Sequence, residues 1–331
     1  MSTSSATRPP LTHVPLSDAE LPPVDMSIPP WPGEDQTAGG VTLHVRHTPG
    51  TVDTDATGAT AVYVHGLGGS ATNWTDLAGQ LATRVPGVAV DLPGFGRTQP
   101  PRHFDYSIPA HADTVARFVD GLDAGPVHLL GNSMGGAIAM LVASRHPELV
   151  RTLTLISPAV PDLRPYLSRM SDPRLAVAYL PVIGPAVRRR MAREDVDRRV
   201  MRLLDLCFAE PDRIPESRKR EAREEFEERE RLVWSNPALA RSTVGLFRTW
   251  LAPRSRSLWR IAPTISVPTL VVWGAKDKLV TVRKAPRTAL LLPRGRLLVL
   301  PNTGHVAQME RPGTVARAVL GMWERSAAGE W

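Results

Sequence analysis

The stretch that most constrains this chain is Gly131-Asn132-Ser133-Met134-Gly135-Gly136. It follows the apolar run Val127-His128-Leu129-Leu130 and precedes Ala137-Ile138-Ala139-Met140-Leu141, which reads as a helix. A buried strand that becomes a helix within a single turn leaves no room for Cβ atoms beside the turn residue. Glycine on both sides of a serine meets that demand and holds the serine in strained backbone. The serine oxygen then stands at the carboxyl end of a sheet, near a helix N-terminus whose N–H groups favour developing negative charge.

The rest of the chain supplies the sheet that such a turn requires. "VTLHVRH", "TAVYVHG", "GVAVDLPG", "PVHLLGNS" and "VRTLTLISPA" read as strands, with "TNWTDLAGQLATR" and "IPAHADTVARFVDGL" as helices between them. The rhythm stops from about Pro158 to Ala262, where arginine-rich helical stretches replace strands. It returns with "VPTLVVWGAKD", "KAPRTALLL", "GRLLVLPNTGH" and "GTVARAVLGMWER". Buried strands alternating with helices predict an α/β fold with a mostly parallel sheet covered on both faces. The expected organisation is a Pro-rich arm over 1–40, core over 41–157, a helical cap over 158–264 and core again over 265–331. The arm is expected to lie on the body through Leu21, Ile28 and Trp31.

A serine hydroxyl needs a base to become a nucleophile, and the base needs an orienting acid. In this topology the acid and the histidine follow later strands, in that order. Asp277 in "VVWGAKDKLV" and His305 in "LLVLPNTGHVAQME" stand at those strand ends. Asp162 in "SPAVPDLRP" is the rival acid, after an earlier strand. Histidines 13, 44, 47, 103, 111, 128 and 146 lie in the arm, in strands, at a helix end or before the nucleophile. An oxyanion needs two backbone donors: Met134, next to the serine, and Leu67 in the glycine-rich loop "VHGLGGSATNW".

Taken together, "HGLGGS", "DLPGFGRT", "GNSMGG", "WGAKD" and "GHVAQME" resemble the α/β-hydrolase superfamily, in the family's order from about Val41 onward. The resemblance implies catalytic roles for Ser133, Asp277 and His305, oxyanion roles for Leu67 and Met134, and mainly structural roles for Asp91 and Arg97. Epoxide hydrolases and haloalkane dehalogenases carry aspartate at the elbow, where Ser133 stands here. "GNSMGGA" and "GHVAQME" are similar to meta-cleavage-product hydrolases, which cut carbon–carbon bonds in dienoates. Those enzymes usually place tryptophan after the histidine, and this chain has Val306. The resemblance therefore favours a serine esterase or lipase acting on a small-molecule ester. The alternatives are a meta-cleavage-type hydrolase and a non-catalytic binding member of the fold.

Composition limits the other classes. The net charge of +7 could attract nucleic acid, but acids and bases interleave in "SRKREAREEFEERERL" and no recognition motif is present. Trp234, Trp250 and Trp259, and the arginines at 188, 189 and 190, are cap residues that could face a substrate. A single cysteine, Cys207, excludes an internal disulfide and a cysteine-built metal site, and no cofactor or metal is expected. No run of apolar residues is long enough to cross a membrane and no basic-then-apolar start is present, so the expected location is cytoplasmic. Nothing in the sequence specifies an oligomeric state.

Overall fold

The computed structural model describes residues 11–50, 59–162, 184, 186 and 195–331. The expected α/β-hydrolase architecture is present: an eight-stranded sheet, mostly parallel, in the order β1-β2-β4-β3-β5-β6-β7-β8. Its strands are β1 Gly33–Ala38, β2 Val41–Thr48, β3 Ala61–Val64, β4 Gly87–Val90, β5 Val127–Asn132, β6 Val150–Ile156, β7 Thr269–Gly274 and β8 Gly295–Leu300. Strands β1 and β2 form an antiparallel hairpin, and β2 pairs antiparallel with β4. The strands from β4 to β8 run parallel.

Among the described residues the helices longer than one turn are α1 Thr75–Leu81, α2 Ile108–Asp120, α3 Met134–Arg145, α4 Val196–Cys207, α5 Glu216–Arg231, α6 Ser235–Trp250, α7 Ala285–Leu291 and α8 Pro312–Ala327. Successive strand residues feed opposite faces of the sheet. Leu129, Val271 and Trp273 join the cluster under α2, α3 and α7, while Leu130, Leu270 and Val272 join the one under α1 and α8. Because both faces are covered, β3, β5 and β7 are buried along their whole length. Each fully buried aliphatic side chain contributes about 1.5–3 kcal/mol.

Two expectations about the first residues change. Gly33–Ala38, read from sequence as arm, is an edge strand that turns back through Gly39 and Gly40, both at positive φ. Most of its residues face solvent, so it carries no apolar alternation to betray it. The Ile28 side chain is exposed, and it is the Ile28 carbonyl that meets the body, accepting from Arg218 Nη1 at 2.9 Å. Trp31 does dock, its Nε1 donating to Thr75 O at 3.1 Å, and Leu21 packs against the α1/α8 cluster.

From 195 to 264 the described residues form helices and turns with no strand. Helix α5 is laced by ion pairs at three- and four-residue spacing, such as Lys219–Glu216 and Arg223–Glu227. The arginines at 188–190 lie outside the described residues.

Candidate active site

The turn between β5 and α3 holds Ser133 at φ 54° and ψ −118°, a conformation that costs a non-glycine residue about 1–3 kcal/mol. Three backbone hydrogen bonds over-determine it: Ser133 N to Ile156 O at 3.0 Å, and Ala137 N and Ala159 N to Ser133 O at 3.1 and 2.8 Å. The glycines are enforced by their surroundings. A Cβ on Gly131 would collide with the backbone of Gly135, and one on Gly135 with Val64 O and His65 O. On Gly136 it would sit 2.8 Å from Pro158 Cβ.

Asp277 and His305 come together at the ends of β7 and β8. The His305 Nδ1 lies 2.9 Å from Asp277 Oδ2, with both side chains almost wholly buried. The other carboxylate oxygen of Asp277 accepts from Leu279 N at 2.8 Å and Val280 N at 2.9 Å, which fixes its orientation. Asp162 instead sits 3.4 Å from Lys284 Nζ and accepts from Thr281 N, so the ring meets Asp277 rather than its rival. Ser133 Oγ makes no hydrogen bond to the His305 ring among the described residues; such contacts often close only when substrate is bound.

Asn132, which sequence reasoning passed over, ties the two halves together. Its Nδ2 donates to Ile156 O and to His305 O, both at 3.1 Å. The histidine loop is also held from the other side. Glu310 accepts Gly304 N at 2.6 Å and Ala209 N at 3.0 Å, and Cys207 O accepts His305 N at 2.7 Å. Burial raises the Glu310 carboxyl above its ordinary value and pushes the Cys207 thiol up to about 12. The helical insert is thus stapled to the histidine loop by its own backbone.

The loop after β3 lies against the elbow: a Cβ on Gly66 would stand 3.0 Å from Ser133 Cβ. Buried His65 sets this loop's shape. Leu92 N donates to its Nε2 at 3.0 Å, so Nδ1 carries the proton and donates to Gly66 O at 2.7 Å. Burial holds that imidazole neutral, with its pKa lowered to about 4. The backbone N–H groups of Leu67 and Met134 have no hydrogen-bond partner among the described residues, leaving two donors open beside the serine. Asp91 is structural, accepting Ala71 N at 2.7 Å and Arg97 N at 2.9 Å. Arg97 pairs with Glu228 of the insert at 2.8 Å.

Trp250 Nε1 donates to Ala159 O at 2.8 Å, and Trp259 lies beneath the Arg287 guanidinium, so both brace the insert on the core. Among the described residues no cluster of metal-ligating side chains occurs. No helix among them is long and apolar enough to cross a membrane.

A strained serine at a strand-to-helix turn, open amides beside it, and an aspartate-bound histidine at later strand ends define the α/β-hydrolase class. The chain belongs to the alpha/beta hydrolase fold family, whose sequence model matches residues 62–312. Monoacylglycerol lipase ABHD6 of Mus musculus is 27% identical over 269 residues, covering 78% of this chain and 73% of its own. The crystal structure of a membrane phospholipase A is 29% identical with a TM-score of 0.70, covering 89% of this chain and 86% of that one. A 2-hydroxy-6-oxo-6-phenylhexa-2,4-dienoate hydrolase from a Rhodococcus strain shares the fold at 20% identity and TM-score 0.69, covering 88% of this chain and all of that one.

Proposed function

We propose that this hydrolase cleaves carboxylic esters through an acyl-enzyme formed on Ser133. The observation that carries the reading is the buried His305–Asp277 pair, at the strand ends beside a strained serine flanked by open amides. In this reading His305 Nε2 takes the Ser133 proton as Oγ attacks the ester carbonyl. The N–H groups of Leu67 and Met134 receive the oxyanion. The alcohol then leaves with the proton from His305, and water, deprotonated by the same ring, releases the acid and restores the serine. Asp277 holds Nδ1 protonated and stabilises the imidazolium. These steps call on no cofactor or metal. The segment 158–264 acts as the cap, and the lipase and phospholipase relatives support an ester as substrate.

The test is a chain-length series of nitrophenyl esters together with a fluorophosphonate label. Short-to-medium esters should turn over, and Ser133→Ala should lose about 10⁴-fold in kcat and all labelling. Wild-type turnover in that variant would sink the assignment. A kcat/KM for a ring-cleavage dienoate far above that for every ester would move the substrate to the carbon–carbon class.

A further inference from the structure

Helix α6 carries apolar side chains on both its inner and its outer side. Its inner side packs over the site: Leu239 lies against Gly68 of the loop after β3, and Trp250 is bonded to Ala159, whose N–H holds Ser133 O. Its outer side carries Val244 at 46% exposure and Phe247 at 48%, and Leu251 follows at 67%. At 3.6 residues per turn these three share with Pro237, Ala240, Arg241 and Arg248 an arc of about 120°. A surface helix of a monomeric soluble domain ordinarily keeps its outer side polar, and a contiguous exposed apolar stripe marks an interaction face.

Charge identifies what fits that face. Between Glu230 and Asp277 the sequence has no acidic residue, against six arginines and one lysine. Arg241 and Arg248 edge the apolar stripe, and Arg254, Arg256 and Arg260 are exposed just beyond the helix. None of these five has an ion-pair partner among the described residues, although Arg241 lies over the Tyr106 ring, whereas neighbouring α5 pairs Arg218, Lys219 and Arg223 with carboxylates. An apolar ridge edged by guanidinium groups that meet no carboxylate matches the boundary of an anionic bilayer, with side chains in the acyl layer and arginines at the phosphates.

We propose that the outer face of α6 docks the enzyme on anionic lipid surfaces, so that substrate enters from the bilayer directly over Ser133. The source of substrate rests on the ester-hydrolase reading, whereas docking itself does not require turnover. Full-length Ser133→Ala protein is sedimented with vesicles of phosphatidylcholine alone, and with vesicles containing roughly one part in four phosphatidylglycerol. Binding should need the anionic lipid and weaken as salt is raised. Leu251→Glu and Phe247→Glu should each lower partitioning about tenfold or more, and Arg248→Glu about fivefold or more. In otherwise wild-type protein all three should keep turnover of a soluble nitrophenyl ester, which also shows that they fold; Leu251→Ser is the milder control for the same site. Absence of vesicle binding, or binding indifferent to these substitutions and to lipid charge, overturns the proposal. So does a dimer in sedimentation equilibrium that Leu251→Glu dissociates, which would make this face a contact between two copies. Loss of ester turnover with docking intact would instead count against the catalytic reading alone.

Discussion

The guanidinium of Arg229, on helix α5 of the insert, donates from Nη1 to the carbonyl oxygen of Gly68 at 2.7 Å. Gly68 has φ +76° and follows Leu67, so a side chain far away in sequence helps fix where the Leu67 amide points. Burial lowers this arginine's pKa, and its guanidinium also lies over the Phe226 ring. Arg229→Met keeps the bulk and removes the donor. We expect kcat for a nitrophenyl ester to fall about 10- to 100-fold at nearly constant KM, because an ill-placed oxyanion donor matters only as charge develops. A raised KM at unchanged kcat would show that the arginine meets substrate instead.

Asp277→Asn should lower kcat by about 10³- to 10⁴-fold in a protein that melts normally, since an amide cannot hold the same histidine tautomer. Asp162→Asn should leave turnover within a few-fold, because its carboxylate faces Lys284 and Thr281. The reverse outcome, read in the same steady-state assay, would hand the acid's role to Asp162.

His111 lies fully buried among Phe95, Phe104 and Tyr106, and burial lowers its pKa to about 3. The unfolded chain therefore binds a proton here at a pH where the native protein does not. The stabilisation is complete above the ordinary histidine value and is lost as pH falls toward 3. His65 and His128, lowered to about 4 and about 3, act in the same sense. Asp91, raised by burial to about 6, acts oppositely, since its contribution disappears as pH rises through that value. For His111 alone the loss between pH 6.5 and pH 5 is about 2 kcal/mol. Urea midpoints at the two pH values should therefore differ less in His111→Leu than in the parent; equal differences would count against the assignment.

Gly135→Ala should destabilise the protein by roughly 3 kcal/mol or more, because the new methyl meets the carbonyls of Val64 and His65, which belong to a central strand and its exit. Gly125→Ala is the contrasting case. That glycine has φ +65° and nothing within 4 Å of the added atom, so only backbone strain of about 1 kcal/mol should appear. Thermal melts of the two variants separate steric from conformational cost.

The sheet and the candidate residues were legible because each constraint is local. Ser133, Asp277 and His305 follow apolar strands at short range, and the elbow demands glycine on both sides. Strand β1 was not legible, since an edge facing solvent needs no alternation of side-chain type. Nor were Asn132, Glu310 and Arg229. Asn132 reads as the variable position of the elbow, yet it spans from Ile156 to His305. Arg229 sits in a helix whose charge pattern reads as solvated, and only folding reveals that it turns inward to a carbonyl 161 residues away. Side chains that act across such distances leave no periodic trace in sequence.

The segment before β1 closes over elements made at the other end of the chain. Leu297 N donates to Leu11 O, Ser17 N to Arg317 O, and Ser17 Oγ to Glu324, a separation of 307 residues. Pro15 crosses Gly321 so closely that the helix has no room there for a Cβ. On a ribosome adding about 5–20 residues per second, this segment waits roughly 15–60 seconds for its binding surface to be made. Until then it is a free tether, open to proteases and to chaperones. Its docking therefore cannot precede the synthesis and seating of α8, and it reports that this helix is in place.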